Sequence, residues 1–316
     1  MAAVRGHGCV ITLPNYVSQE KIDAMESFGA TVILCTPVPF SNENHFFHVA
    51  RRMAEEAVTE GKAAVWTNQF DNLANSHAHA TGTGPEIWLQ TQGQLDAVCV
   101  AAGTGGTVSG LARFLKPASD GRAQVWIIDP PGSALHHWVA TAGAEMVSSS
   151  GSTFTEGIGI GRLTANYESA LGLVDGALQG SDEEAVAMVF YLLQHEGIFV
   201  GPSAALNVAG AVRLARLLPP RSKVATVVCD SGERYKKKLL DGDCLFLREQ
   251  GLLPIKGRRR ASDSPAIGTG AGDGAGDGGG DDVSEHGAMP VFKRGDLSFL
   301  PGVKEGVVRW GDGVMK

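Results

Sequence analysis

Short apolar runs alternate with helical stretches along most of this chain, and that alternation is the strongest constraint on its fold. CVITL (9–13), TVILC (31–35), AAVW (63–66), AVCVAA (97–102), QVWIID (124–129), IFV (198–200) and VATVVC (224–229) read as strands. Strands separated by helices imply a parallel sheet with helices on both faces, so the fold class is α/β. Three helices carry clear signals. Ser181-Asp182-Glu183-Glu184 has the capping-box spacing and opens a helix expected to end near Gly197. Asn44 to Glu60 places Phe47, Ala50, Met53, Ala54 and Ala57 on one face and stops at Gly61. Ser203 to Leu217 is rich in Ala and Val, as suits a helix packed tightly on a sheet.

With 316 residues the chain can form two modest domains or one large α/β unit. A net charge of −7 argues against a nucleic-acid partner, which selects a basic surface. The five cysteines include no CxxC pair, and Cys9, Cys35, Cys99 and Cys229 fall in apolar runs. They read as buried free thiols of a reducing compartment, with no metal and no disulfide framework. No apolar run approaches the roughly 18 residues of a membrane span, and MAAVRGHGCVITLP lacks the apolar stretch of a signal peptide. After Pro254 the composition changes. Residues 257–286 are a basic knot followed by Gly/Asp/Ala low complexity, and 256–316 is expected to be a disordered tail in which Arg258 to Arg260 form a solvated cluster.

The stretch VCVAAGTGGTVSGL (98–111) runs from a strand through a glycine-rich turn into a helix. Such a turn aims unpaired N–H groups and a positive dipole end at one spot, which suits an anion; a tight βα turn with no ligand has the same local pattern. A Walker loop is excluded, because no Gly-Lys-Ser or Gly-Lys-Thr follows. A dinucleotide site is the rival, with Gly103 and Gly105 in the turn and Asp129 ending the next strand as the ribose-binding acid. The third glycine of that fingerprint is replaced by Val108. His77-Ala78-His79 has no nearby third ligand and reads as surface residues, His136-His137 take no role, and Lys236 to Lys238 form a solvated helix face.

Further stretches bring a resemblance into view. Gln69-Phe70-Asp71-Asn72 with Ala74-Asn75, then Thr81 to Trp88 (TGTGPEIW), GTGGT, EGIGIG (156–161), EGIFVGPSAALN (196–207) and DSGERY (230–235) occur in one order. They resemble the motifs of the cysteine synthases, the O-acetylserine sulfhydrylases, within the fold-type II pyridoxal-phosphate enzymes that include cystathionine β-synthase. Leu73 stands where that family has Pro. The resemblance covers roughly residues 5 to 250. It implies a two-domain tryptophan synthase β-like architecture with residues 1–75 as the remainder of a small domain, 76–255 as the large cofactor-bearing domain and 256–316 as the tail.

The resemblance also assigns residues. Gly103, Thr104, Gly105, Gly106 and Thr107 would cradle the phosphate of pyridoxal 5'-phosphate, and Ser231 would meet its pyridine nitrogen. A hydroxyl there does not force the nitrogen to be protonated as a carboxylate would, which favours β-elimination over transamination. Asp230 beside it should face the other way, because side chains alternate in extended chain. Gln69 would help hold the substrate carboxylate, and Gly157, with Gly159, belongs to a segment lying over the cofactor. The implied reaction is β-replacement on an O-activated serine: O-acetylserine loses its leaving group and sulfide adds to give cysteine. Homocysteine as nucleophile stays open, and so does a homodimer.

The family's Schiff-base lysine stands in a PSVKDR-like segment followed by a TSGNTG-type loop, and both belong upstream of the residue at which this sequence begins. No lysine present lies in a matching motif. The expectation is an N-terminally truncated chain without a catalytic lysine, and with an exposed sheet edge or an uncovered core face. Three readings follow: a cysteine synthase shortened at its N-terminus, a pseudoenzyme that binds on the same architecture, and a nicotinamide oxidoreductase on a Rossmann unit. An intracellular setting, cytoplasmic or mitochondrial, accompanies the first.

Overall fold

The computed structural model describes residues 2–15, 17, 19–240, 297 and 299–300. They fall into two compact units that part between Asn72 and Leu73. In unit 1, strands β1 (Cys9–Pro14) and β2 (Ala30–Cys35) pair in parallel, with Cys9 opposite Ala30 and Pro14 opposite Cys35. Helix α1 (Gln19–Ser27) makes the crossover that a parallel pair requires. Helix α2 (Phe46–Thr59) follows, tied to β1 where the Thr12 hydroxyl donates to the Phe46 carbonyl at 2.9 Å. As its glycine stop foretells, the chain turns at Gly61 with φ +78°. The run 63–66 is not a strand. It forms no ladder with β1 or β2, and Val65 is 85% exposed, so its apolar composition alone cannot make it one.

Unit 2 holds the larger sheet. In chain order its elements are α3 (Ala74–Ala78), a π-helical turn (His79–Thr83), α4 (Gly84–Gln90), β3 (Ala97–Val100), α5 (Gly106–Ala118), β4 (Gln124–Asp129), α6 (Leu135–Ala140) and α7 (Ala165–Glu168). Then come β5 (Gly176–Gln179), α8 (Asp182–His195), α9 (Pro202–Leu217), β6 (Val224–Ala225), a 3-10 turn (Gly232–Tyr235) and α10 (Lys236–Leu239). The spatial order is β5-β4-β3-β6, and every ladder is parallel. Alternation along β3 serves both faces. Val98 and Val100 pack with Leu111 and Leu115 of α5, while Ala97 and Cys99 pack with Leu206 and Leu214 of α9. The sheet is therefore covered on both sides, as the strand and helix alternation requires.

Strand lengths depart from the periodic reading. β3 ends at Val100, β6 is confined to Val224–Ala225, and IFV contributes only an antiparallel bridge between Val200 and Ser231. β5 was not expected, because GALQ lacks the β-branched residues that mark a strand; its ladder with β4 creates it. Cys229 lies past the short β6 and is exposed, whereas Cys35 and Cys99 are buried as read from their apolar runs. Most of 256–316, including Arg258 to Arg260, lies outside the described residues. Within that expected tail Leu297 and Leu300 are buried, at 2% and 1% exposure, so at these positions disorder gives way to packing.

Candidate functional site

From β3 the chain proceeds outward through β4 to β5, whereas β6 lies on the other side of β3. Between β3 and β6 the direction of winding reverses, which is where open α/β sheets bind ligands beyond the carboxyl ends of their strands. Here the two strands pair only through Ala97–Val224 and Val98–Ala225 and then run on as loops. Side chains span the gap. The Thr226 hydroxyl donates to the Cys99 carbonyl at 2.6 Å. From α9, Asn207 accepts the Ala101 N–H at 2.6 Å and donates to the Val227 carbonyl at 2.8 Å. A buried amide with both ends satisfied by the loops that continue two different strands fixes their separation. Motif reading includes Asn207 as the end of EGIFVGPSAALN but gives it no role, although one strongly polar residue in the apolar run SAALNVAG is a signal for it.

The continuation of β3 carries the glycine turn. Gly105 has φ +80°, and α5 begins after it with no side-chain cap. Each glycine here is dictated by a neighbour. A Cβ on Gly103 would lie 2.4 Å from the Gly157 carbonyl oxygen, one on Gly105 2.8 Å from Tyr167, and one on Gly106 2.0 Å from the Asn75 amide. Asn75 also donates to the Thr104 hydroxyl at 3.0 Å, which accepts the Gly106 N–H at 3.3 Å, and the Thr164 hydroxyl donates to the Thr104 carbonyl at 2.7 Å. Among the described residues the N–H groups of Thr107 and Val108 have no acceptor. Two open donors at the mouth of a 13-residue helix fit a phosphate in both charge and chemistry.

His79 comes from the π-helical turn, the irregular helix geometry often found at functional sites. Its Nε2 lies 3.2 Å from the Thr107 hydroxyl and its Nδ1 2.9 Å from the Thr83 hydroxyl. Burial lowers its pKa, so the ring is neutral and donates at one nitrogen while accepting at the other. The expectation that both His77 and His79 are surface residues is therefore corrected for His79. Its partner is 28 positions away in sequence, beyond any local pattern.

Gly157 and Gly159 have φ +81° and +83°, and the Gly159 N–H donates to the Ala102 carbonyl at 2.9 Å. This brings EGIGIG directly onto the glycine turn. Ser133 holds the same segment, exchanging hydrogen bonds with the N–H and carbonyl of Ile160. Upstream, Asp182 at the start of α8 accepts from the Thr153 hydroxyl at 2.6 Å and the Phe154 N–H at 2.8 Å, and Glu156 pairs with Lys238. Burial raises the Asp182 pKa, against these hydrogen bonds.

Ser231 lies beyond β6, exposed and extended. Its oxygen accepts the Glu233 N–H at 3.2 Å, which leaves the hydroxyl hydrogen to donate elsewhere. Asp230 does face the other way, accepting from the Tyr235 hydroxyl at 3.0 Å, with its second oxygen buried against Gly201. Gln69 belongs to unit 1, exposed on a turn closed by the Asn72 N–H donating to the Asn68 carbonyl at 2.8 Å. The structure thus brings Gly103 to Thr107 together with Gly157, puts Ser231 past the adjoining strand, and leaves Gln69 in the other unit.

Asp129 does not serve as a ribose-binding acid. It is 1% exposed and accepts the His136 N–H at 2.8 Å at the start of α6, so it is a structural acceptor closed to solvent. With Val108 where the fingerprint needs glycine, the dinucleotide reading fails on both its marks.

The sequence matches the family described as "Pyridoxal-phosphate dependent enzyme" over residues 1–230. It is similar to cysteine synthase 1 of Neurospora crassa, with 46% identity over 249 residues, covering 79% of this chain and 64% of the relative. Cysteine synthase 1 of Emericella nidulans is 44% identical over 248 residues, covering 78% and 65%. The cysteine synthase of Dictyostelium discoideum is 43% identical over 244 residues, covering 74% and 62%. The chain therefore spans a little under two thirds of the length of these curated relatives. Among the described residues no helix is long and apolar enough to cross a membrane.

Proposed function

Because the chain belongs to the family of pyridoxal-phosphate-dependent enzymes, we propose that the opening between β3 and β6 is its cofactor seat and that the whole protein is a cysteine synthase. The observation that carries this reading is the uncapped start of α5, with the Thr107 and Val108 N–H groups unpaired at the switch point of the sheet, Val108 itself being buried. The similarity to proteins named cysteine synthase supports the choice of reaction.

Pyridoxal phosphate, when bound, supplies the electron sink for breaking a bond at the β-carbon of an amino acid. The residues of this chain hold and orient. Thr107 and Val108 donate backbone hydrogens to the phosphate, and the Thr104 and Thr107 hydroxyls stand at the same turn. His79 fixes the Thr107 hydroxyl from behind. Ser231 donates its free hydroxyl hydrogen to the ring nitrogen, while Tyr235 keeps the neighbouring carboxylate turned away. Gly157 and Gln69 are assigned to the amino-acid substrate, an O-activated serine whose β-position sulfide enters. Unit 1 corresponds to part of a small domain through about residue 75, and residues 76–255 to the large domain; a homodimer is the proposed assembly. Cysteines without a pairing pattern support an intracellular setting, cytoplasmic or mitochondrial.

The test is equilibrium binding of pyridoxal phosphate to wild-type protein and to Thr107→Val and Gly103→Ala. Thr107→Val keeps the backbone N–H donors and removes the hydroxyl at the turn, a contact to an anion worth about 1.5–3 kcal/mol, so it should weaken binding by about 10- to 100-fold. Unchanged affinity in both variants would contradict the phosphate assignment. Formation of cysteine from O-acetylserine and sulfide by the whole protein tests the reaction; cofactor binding without it would favour the pseudoenzyme.

A further inference from the structure

On one side of unit 2, α8 and α9 build a contiguous apolar cluster that includes Val189, Leu192 and Val212 and extends to Tyr235 and Leu239. Leu297, Phe299 and Leu300 are seated in it, although they lie beyond the Gly/Asp/Ala-rich stretch 257–286. The Phe299 ring is 6.2 Å from that of Tyr191, and the Leu300 N–H donates to the Leu297 carbonyl at 3.0 Å, closing a turn that presents its apolar side chains together. After the glycine-rich stretch apolar residues recur in MPVFKRGDLSFL (289–300), and among its described residues Leu297 and Leu300 are buried.

The cluster has a second edge. Tyr235 belongs to it and holds Asp230, the neighbour of Ser231, through its hydroxyl; Phe154 packs against it, and the Phe154 N–H is held by Asp182 just upstream of EGIGIG. Packed side chains transmit rigidity through such a cluster, because filling one end limits what the other can do.

We propose that Leu297, Phe299 and Leu300 form a hydrophobic clasp, an intramolecular ligand for the α8–α9 face, and that its seating stiffens the Gly232–Tyr235 turn beside Ser231. The clasp is independent of the cofactor reading; only the value of a stiff turn for ring binding rests on that reading.

Hydrogen exchange on the full chain, without cofactor, tests it. In wild-type protein the Leu300 amide and those of Gly232 to Tyr235 should be protected. In the double variant Leu297→Asp, Leu300→Asp both sets should exchange faster by about 10-fold or more, while Leu297→Met, Leu300→Met should follow wild type. A synthetic peptide of residues 294–303 should restore protection at Gly232 to Tyr235 in the Asp variant. Phe299→Ala is the milder probe should the Asp pair unfold the unit, and it should speed exchange at the same two places. Random-coil exchange at Leu300 in wild type, or Phe299→Ala leaving Gly232 to Tyr235 unchanged, would overturn the proposal.

Discussion

A histidine that bridges two threonine hydroxyls while half-buried is bound to its neutral form, and the consequence for pH has a definite sign. Burial puts the His79 pKa below its ordinary value of 6.5 in the folded chain. The stability this contributes is complete above the unfolded value and is lost as pH falls through the folded one. His79→Gln keeps a donor and an acceptor but cannot be protonated, so it should flatten the fall in unfolding temperature between about pH 7 and 5. Asp129, Asp182 and Glu184 have raised pKa values and run the opposite way, gaining stability as pH falls. The variant-minus-wild-type difference isolates the histidine, and a difference independent of pH would remove it from this role. Tyr235 carries a second residue-scale expectation. Tyr235→Phe leaves the buried Asp230 carboxylate without its donor, which should cost about 1–3 kcal/mol in denaturant unfolding. A loss below about 0.5 kcal/mol would show that the carboxylate finds another partner.

At the scale of elements, Asn207 joins α9 to the loops that leave β3 and β6. Asn207→Ala abandons the Ala101 N–H and the Val227 carbonyl together, an expected cost of about 2–5 kcal/mol. A loss below about 0.5 kcal/mol in a denaturant titration would contradict the bridging role. The capping box of α8 is simpler: the Ser181 hydroxyl accepts the Glu184 N–H at 3.2 Å, and Glu184 returns the bond to the Ser181 N–H at 2.8 Å. Ser181→Ala should destabilise by about 1 kcal/mol, and no measurable change would show the cap to be redundant. That helix start and the glycine stops at Gly61 and Gly197 were legible because capping is a property of adjacent residues. The glycine turn was legible for the same reason. Strand extent was not: VATVVC reads as six residues, yet β6 is two, because a ladder ends where its neighbour turns away. Asn75 and Asn207 lie within the quoted motifs without a role, and His79 reads as a surface residue, since their partners are distant in sequence. The rival reading of Asp129 arises because a strand-ending acid looks the same whether it meets a ribose or a helix start.

For the whole molecule, the described part of the large unit holds a sheet covered on both faces with a reversal of winding; the glycine turn and the EGIGIG segment meet there, and the Ser231 loop follows the adjoining β6. Unit 1 contributes its own parallel pair and the Gln69 turn. Family membership and fold agree, and the proposed cofactor seat is where both meet. The most direct measurement compares binding of 4-deoxypyridoxine phosphate and 4-deoxypyridoxine to the same protein. Neither has the aldehyde that could react with a lysine, so the ratio reports contacts to the phosphate alone. With two open N–H donors and a helix mouth aimed at the anion, the phosphorylated compound should bind about 100-fold tighter or more. Equal affinities would contradict the placement of the phosphate at Gly103 to Thr107.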